Sequence, residues 1–213
     1  MRSVKEALTK IIIVLSVLLF LVFLLFPFYW MFVTSLKPNE ELFTGVVTYW
    51  PENPTFQAYI KLFQSYDFLG PMKNSFIVAS ITTVVSLGVA VLAAFAFARY
   101  EFPGRKYIMM MFLTNNMFPT VLLLIPLYTI IRQIGLLYTP WALILAYTTF
   151  TIPFSIWLMS GFMSDMPMEI EEAAMIDGCN RAQAFVKVEL PMLVPSIIAC
   201  GVYIFMNAWN EYT

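Results

Sequence analysis

The first apolar run constrains the fold more than any other feature of the sequence. Ile11 to Val33 is 23 residues long and carries no charged side chain. At about 1.5 Å per residue, a helix of this length reaches roughly 35 Å, enough to cross a hydrocarbon core of about 30 Å with some tilt. Arg2, Lys5 and Lys10 precede the run as in a signal peptide, but the run is too long for one and lacks a small-residue cleavage pattern. We therefore predict a retained membrane span.

Four further apolar runs follow the first one. The chain of 213 residues is 61% hydrophobic and only 12% charged, whereas soluble domains are roughly a quarter charged. The further runs cover about 74–98, 107–131, 141–162 and a stretch that starts near Leu190. The sequence predicts an all-α, polytopic helical bundle in the lipid bilayer, with residues 1–213 forming a single transmembrane domain of five spans.

The distribution of lysine and arginine orients these spans. If the N-terminus is cytoplasmic, eight basic residues fall on the inner side and four on the outer side. The inner set is Arg2, Lys5, Lys10, Arg99, Arg105, Lys106, Arg181 and Lys187, and the outer set is Lys37, Lys61, Lys73 and Arg132. The positive-inside rule then predicts a cytoplasmic N-terminus, an extracytoplasmic loop over 37–73 and a cytoplasmic loop over 165–189.

The extracytoplasmic loop contains one helical pattern. Phe56, Tyr59, Ile60 and Phe63 recur at the spacing of one helix face, which predicts a short amphipathic helix. It either packs on the bundle at the membrane interface or contacts an external partner.

The sequence of the cytoplasmic loop predicts a short helix, a turn and a second short helix. Ser164 or Asp165 is placed to cap the first helix, Pro167 falls in its first turn, and Gly178 lies where a helix ends with positive φ. After Gly178, residues 181–189 predict further helical turns that carry Phe185 inward. Five acids and no base lie between positions 165 and 177. This charge disfavours a helix lying on anionic lipid and favours one that docks in a protein cleft.

Several function classes find no support in the sequence. It contains no histidine, only two cysteines and no GxxxxGK[ST] loop, so we predict no metal site, no cofactor and no ATP hydrolysis by this chain. The absence of a basic tract gives no support to nucleic-acid binding. An intramembrane enzyme is disfavoured because zinc and Ser-His mechanisms need histidine, and because the three aspartates that an aspartyl type could use all fall in loops. The five runs carry no Asp, Glu, Lys, Arg or His, which disfavours an ion-coupled transporter.

The cytoplasmic loop resembles a known motif. Glu172-Ala173-Ala174, then Asp177-Gly178, then Val188-Glu189-Leu190-Pro191 are similar to the EAA loop of ABC importer permeases, with Val188 in place of the usual isoleucine. Further segments along the whole chain resemble the second, G-type permease subunit of the maltose-type carbohydrate importers. These segments are Pro27-Phe-Tyr-Trp, Thr34 to Pro38, Asn74-Ser75, Ala98 to Arg105, Pro126-Leu-Tyr and Trp209 to Tyr212.

The resemblance implies a type I importer fold and a set of partners. It implies that the EAA loop docks on a separate ATPase subunit, through Glu172, Ala173, Ala174, Asp177, Gly178, Leu190 and Pro191. A second homologous permease and an extracytoplasmic solute-binding protein are the other implied partners, and a sugar is the implied substrate. Members of this family have six spans, so a sixth span is expected beyond Thr213.

Three asparagines are candidates for the translocation path. The amides of Asn115, Asn116 and Asn207 are suited to pair with the hydroxyls of an uncharged solute. The same residues also fit hydrogen bonding between helices. A permease for a non-sugar solute, a neutral-solute channel and a membrane scaffold remain the alternative functions at this point.

Overall fold

The fold is described by a computed structural model, which covers residues 2–43 and 45–211. The described residues form helices and connecting turns, so the predicted all-α fold class is confirmed. By its internal contacts the chain divides into two compact units, Met1–Pro71 and Met72–Thr213.

The first unit is dominated by one long apolar helix. α1 spans Arg2–Ser35, as the first run predicts, and its side chains are exposed along most of its length, with Phe23 79% exposed. A continuous apolar surface of this length suits a lipid environment. The run continues through Pro27 without a break in the helix.

A buried lysine, Lys37, holds together the segment that follows α1. Lys37 Nζ donates to the carbonyl oxygen of Thr48 at 2.6 Å and to its hydroxyl at 2.7 Å, and lies 3.9 Å from a Glu41 carboxylate oxygen.

Two short helices lie in this stretch, α2 over Asn39–Leu42 and α3 over Gln57–Ser65. The predicted amphipathic helix is therefore confirmed.

The core of the second unit is formed by three helices. They are α4 (Leu69–Arg99, whose first turn belongs to the first unit), α7 (Pro140–Ser164) and α11 (Val194–Asn210). Ala94, Met159 and Ile204, one from each helix, are fully buried in one cluster. Small residues such as Ala94 allow the close approach on which helix packing in lipid depends.

A buried hydroxyl pair links α4 to α7. Thr151 Oγ1 donates to the Tyr147 carbonyl at 2.8 Å, and it lies 2.9 Å from Ser86 Oγ. Because the Thr151 proton is used within α7, Ser86 is the donor of the interhelical bond.

The predicted third span, residues 107–131, consists of two helices. α5 ends at Asn115 (Arg105–Asn115) and α6 begins at Thr120 (Thr120–Gln133). Pro119 explains the break, since proline lacks an N–H and disfavours helical backbone in the residue before it.

Three helices of the described residues are long and apolar enough to cross a membrane. They are Leu8–Ser35, Leu69–Arg99 and Pro140–Ser164. A fourth span results if Arg181–Met192 and Val194–Asn210, which meet at a bend of 72°, are counted together. The last straight helix therefore begins at Val194, later than the predicted start near Leu190, while the number of five spans stays a prediction.

Candidate functional site

The acidic helix of the loop over 165–189 forms, with a different N-terminal cap from the predicted one. α8 spans Met168–Ile176 and its N-cap is Pro167, with no side-chain capping bond. The prediction that Ser164 or Asp165 caps it is wrong, because α7 continues to Ser164 and the Asp165 N–H bonds the Gly161 carbonyl at 3.1 Å. Asp165 therefore ends the preceding helix.

The turn after α8 follows the prediction. Gly178 has φ +92°, a left-handed conformation that glycine adopts without a steric penalty. Its N–H bonds the Met175 carbonyl at 3.1 Å, and the Cys179 N–H bonds the Ala174 carbonyl at 3.0 Å. This pattern satisfies carbonyls that the end of a helix would otherwise leave unpaired.

The second arm of the loop starts from a capping box that the sequence analysis missed. The Asn180 side chain accepts from the Gln183 N–H at 2.9 Å, and the Gln183 side chain accepts from the Asn180 N–H at 3.0 Å. The spacing of an N-cap residue and a glutamine three positions later was the available signal. α9 (Arg181–Ala184) continues as a π-helix over Phe185–Glu189 and a short α10 (Leu190–Met192), with Phe185 buried as predicted.

The predicted docking residues divide between the surface and the interior. Five of them are exposed: Glu172, Ala173, Asp177, Gly178 and Pro191. Leu190 is half-buried, and Ala174 is 7% exposed and packs inside this chain. The exposed members of the predicted docking set are thus acidic or small apart from Pro191, and four of them lie between Glu172 and Gly178.

Beneath this surface lies a cluster of buried charges. Arg99, the last residue of α4, lies 3.2 Å from a carboxylate oxygen of Glu171 and 3.2 Å from one of Glu189. The side chains of both glutamates are buried, 1% and 0% exposed. Arg99 also donates to the Met166 carbonyl at 3.5 Å.

A second arginine closes the cluster on its outer side. Arg181 Nε lies 2.7 Å from Glu171, and its guanidinium lies 5.1 Å from the centre of the Tyr100 ring. A hydrogen bond to Tyr100 and the charge of Glu171 raise the pKa of Arg181. Burial raises the pKa of Glu189, and the neighbouring Arg99 opposes this shift. With two arginines and two glutamates, the charges of the cluster balance.

Sequence reasoning missed the cluster because its members are far apart in the chain. Glu171 was counted only as one of the five acids between positions 165 and 177, and Arg99 only as one of the basic residues of the inner side. A single arginine that closes an otherwise uncharged run was the available signal, since a buried charge requires a partner.

The three predicted path asparagines lie around one cavity of about 330 Å³. Its lining is mostly apolar and aromatic, and includes Phe118, Tyr128, Tyr147, Phe150 and Tyr203, with Thr151 and Glu211 as further polar residues. Aromatic walls with a few polar groups are typical of small-molecule sites, and the volume is at the low end of their range.

Two of these asparagines are held by their own helices. Asn116 Nδ2 donates to the Phe112 carbonyl at 3.1 Å, and Asn207 Nδ2 donates to the Tyr203 carbonyl at 2.8 Å. These bonds fix the side-chain amides and leave their oxygens as acceptors. No group of residues that could hold a metal ion occurs in the part of the chain that the structure describes.

Comparisons with known proteins identify the family of this chain. Residues 86–213 match the family described as "Binding-protein-dependent transport system inner membrane component". The inner membrane ABC transporter permease protein YcjP of Escherichia coli is 36% identical over 100% of this chain and 76% of its own length. The trehalose/maltose transport system permease protein MalG of Thermococcus litoralis is 32% identical over 98% and 75%. The trehalose transport system permease protein SugB of Mycobacterium tuberculosis is 37% identical over 88% and 68%.

The fold also matches a solved structure. A bacterial ABC transporter involved in the import of the acidic polysaccharide alginate has a chain that superposes with a TM-score of 0.81, at 23% identity, over 98% of this chain and 73% of that one. The family model matches more than half of this chain, and YcjP is 36% identical over all of it. This chain therefore belongs to the inner membrane permease components of binding-protein-dependent ABC transport systems.

Proposed function

We propose that this chain is a non-catalytic permease subunit of an ATP-driven importer for sugars, coupled through residues 165–189 to a separate ATPase. The observation that carries the proposal is the exposed surface of α8 from Glu172 to its C-terminal turn, which we call the tip of α8. Glu172 and Ala173 face outward there, beside a glycine turn, on a loop whose inner side is fixed by buried charges.

The chemistry of this tip suits a protein groove. Small side chains such as Ala173 allow close approach, and Glu172 offers one carboxylate to a donor in the groove. An acidic surface also disfavours binding to anionic lipid. Asp177, Gly178 and Pro191 extend the proposed contact, whereas Ala174 supports it from within.

A sugar is favoured as substrate by two independent considerations. Relatives named above are permeases for trehalose or maltose, and the cavity combines three amides with five aromatic rings. Rings pack on the apolar faces of sugars and amides pair with their hydroxyls. We propose that Asn115, Asn116 and Asn207 line the path.

The remaining partners follow from the family. A second homologous permease would complete the path, and a solute-binding protein would deliver the sugar on the outer side, near the loop over 37–73. The excess of basic residues in the inner segments supports a cytoplasmic N-terminus for this multi-pass membrane protein.

Charge reversal at the tip tests the ATPase contact. The chain is co-expressed with its cognate ATPase and second permease, and the ATPase recovered per permease is measured for native protein and Glu172→Lys. We expect a loss of at least about tenfold, since like charges placed opposite each other at an interface cost several kcal/mol. Glu101→Lys, the same change at an exposed acid in the turn after α4, is the control and should have no effect.

Reconstituted vesicles test the substrate. With binding protein and ATP, we expect uptake of sugars and not of amino acids or ions. Uptake that is independent of ATP and unaffected by Glu172→Lys would instead indicate a neutral-solute channel.

A further inference from the structure

Polar contacts join the loop to the end of α4 at three separate points, and all three meet one side chain, while the rings of Phe95 and Phe185 add an apolar contact between the two elements. Arg99 donates to the Met166 carbonyl between α7 and α8, and pairs with Glu171 on α8 and with Glu189 at the end of the π-helix. These contacts join residues 67, 72 and 90 positions apart in the chain. The entrance, the first arm and the last turn of the loop thus share one anchor.

We propose that Arg99 is a positioning residue that fastens both arms of the loop to α4, so that the loop and this helix move as one body during transport. The inference rests on the proposed coupling to an ATPase, and adds the route by which movement of α8 reaches a membrane helix.

The chemistry of the contact supports a positioning role. Guanidinium is rigid, permanently charged and able to serve two carboxylates at once, which lysine cannot do in the same geometry. Arg99 Nε and Nη2 both donate to one oxygen of Glu189, at 3.3 and 3.2 Å. Such buried pairs cost desolvation and are weak evidence for stability, but removing one partner leaves an uncompensated buried charge. The cluster therefore specifies one arrangement of the loop relative to α4.

Arg181 strengthens the same arrangement from outside. It contacts Glu171 from the first turn of α9 and lies over Tyr100, the residue that follows α4. Its side chain is 40% exposed, so its ion pair with Glu171 is weakened by solvent more than that of the buried Arg99. Loss of Arg99 would leave two buried carboxylates with only this partial partner.

The test uses the assembled complex of both permeases and the ATPase. Spin labels are placed on Glu101→Cys, two residues beyond α4, and Glu169→Cys on α8, both exposed, with Cys179→Ser to remove a competing thiol. Distances between the labels are measured without nucleotide and with a non-hydrolysable ATP analogue, beside sugar transported per ATP hydrolysed.

In the native complex we expect the same distance in both states. In Arg99→Met the distance should change with nucleotide, and transport per ATP should fall at least about fivefold, the lower end of typical coupling effects. Arg99→Lys should restore part of the coupling because it keeps the charge. The control Lys106→Met removes an exposed base nearby and should behave as native.

An Arg99→Met complex with an unchanged distance and native transport per ATP overturns the inference. If that variant does not assemble, the triple variant Arg99→Met, Glu171→Gln and Glu189→Gln removes the buried charges together and is held to the same two readouts. Failure of the proposed function itself is distinguishable, since the native chain would then recover no ATPase at all.

Discussion

The two ends of the helices in the second unit are built from different chemistry. At one end, after Ser164 and Arg99, the side chains of two glutamates and an arginine are buried and paired with one another. At the other end, around Tyr147 and Asn207, the cavity is lined by aromatic rings and amides. The buried charges and the cavity are both formed by residues of α4, α7 and α11 and of the segments that connect these helices.

The difference follows from what each end has to do. Charges that pair inside the protein hold a fixed geometry, and exchanging their partners is costly. Amides and rings offer weaker contacts that a solute can make and leave. Changes at the loop should therefore affect assembly and coupling, whereas changes at the cavity should affect the substrate dependence of transport.

The largest effect is expected at the turn between the two arms. Gly178→Val places a β-branched residue at φ +92°, a conformation that is strongly disfavoured for such side chains. We expect recovery of the ATPase with the permease to fall by about five- to thirtyfold, from a cost of about 1–2 kcal/mol. Gly161→Ala, at a helical glycine with nothing within 4 Å of the added Cβ, is the control, and equal losses in both variants would contradict the account.

A smaller and different effect is expected in the cavity. Asn207→Leu removes an amide oxygen from the lining, and one hydrogen bond is worth about 1 kcal/mol. The KM for transport should rise about fivefold while ATPase recovery stays native. Met206→Leu, at the exposed neighbouring position outside the lining, should change neither quantity. A loss of ATPase recovery in Asn207→Leu would remove the distinction between the two ends.

The hydroxyl pair between the two ends should contribute little. Ser86→Ala breaks the bond to Thr151, and such bonds in membrane proteins average about 0.6 kcal/mol. A double-mutant cycle with Thr151→Val, read out by unfolding in detergent, should give a coupling energy of this size. A much larger value would mean that the interior of the bundle also carries strong polar coupling.

The smallest effect is expected in how the stability of the protein depends on pH through Glu189. Because burial raises the pKa of Glu189 in the folded chain, folded protein binds this proton at a higher pH than unfolded protein does. Lowering the pH from neutral toward the ordinary glutamate pKa should therefore stabilise native protein relative to Glu189→Gln. The melting temperatures of the two proteins at pH 7.5 and pH 5.5 check this. Exposed Glu169→Gln serves as the matched control, and an opposite trend would contradict the assigned shift.

What the sequence revealed depended on how local the signal was. Gly178 was placed correctly because a helix end with positive φ favours glycine, and Phe185 because helical spacing turned it inward. The helix boundaries on either side of Pro119 were not predicted, because the apolar run continues on both sides of this proline. The Arg99 cluster could not be predicted from the sequence, since its members come together only when α4 packs beside the loop.

Neighbouring alanines allow the most direct test of the central claim that the tip of α8 contacts the ATPase. Ala173 is exposed and Ala174 is buried, so cysteines introduced at one of these positions at a time, in a Cys179→Ser background that keeps only the buried Cys200, differ in the direction they face. A thiol-to-amine cross-linker is applied to the assembled complex in membranes. We predict that Ala173→Cys yields a covalent permease–ATPase product and Ala174→Cys yields none. No product from Ala173→Cys in a complex that hydrolyses ATP and transports its substrate would contradict the account.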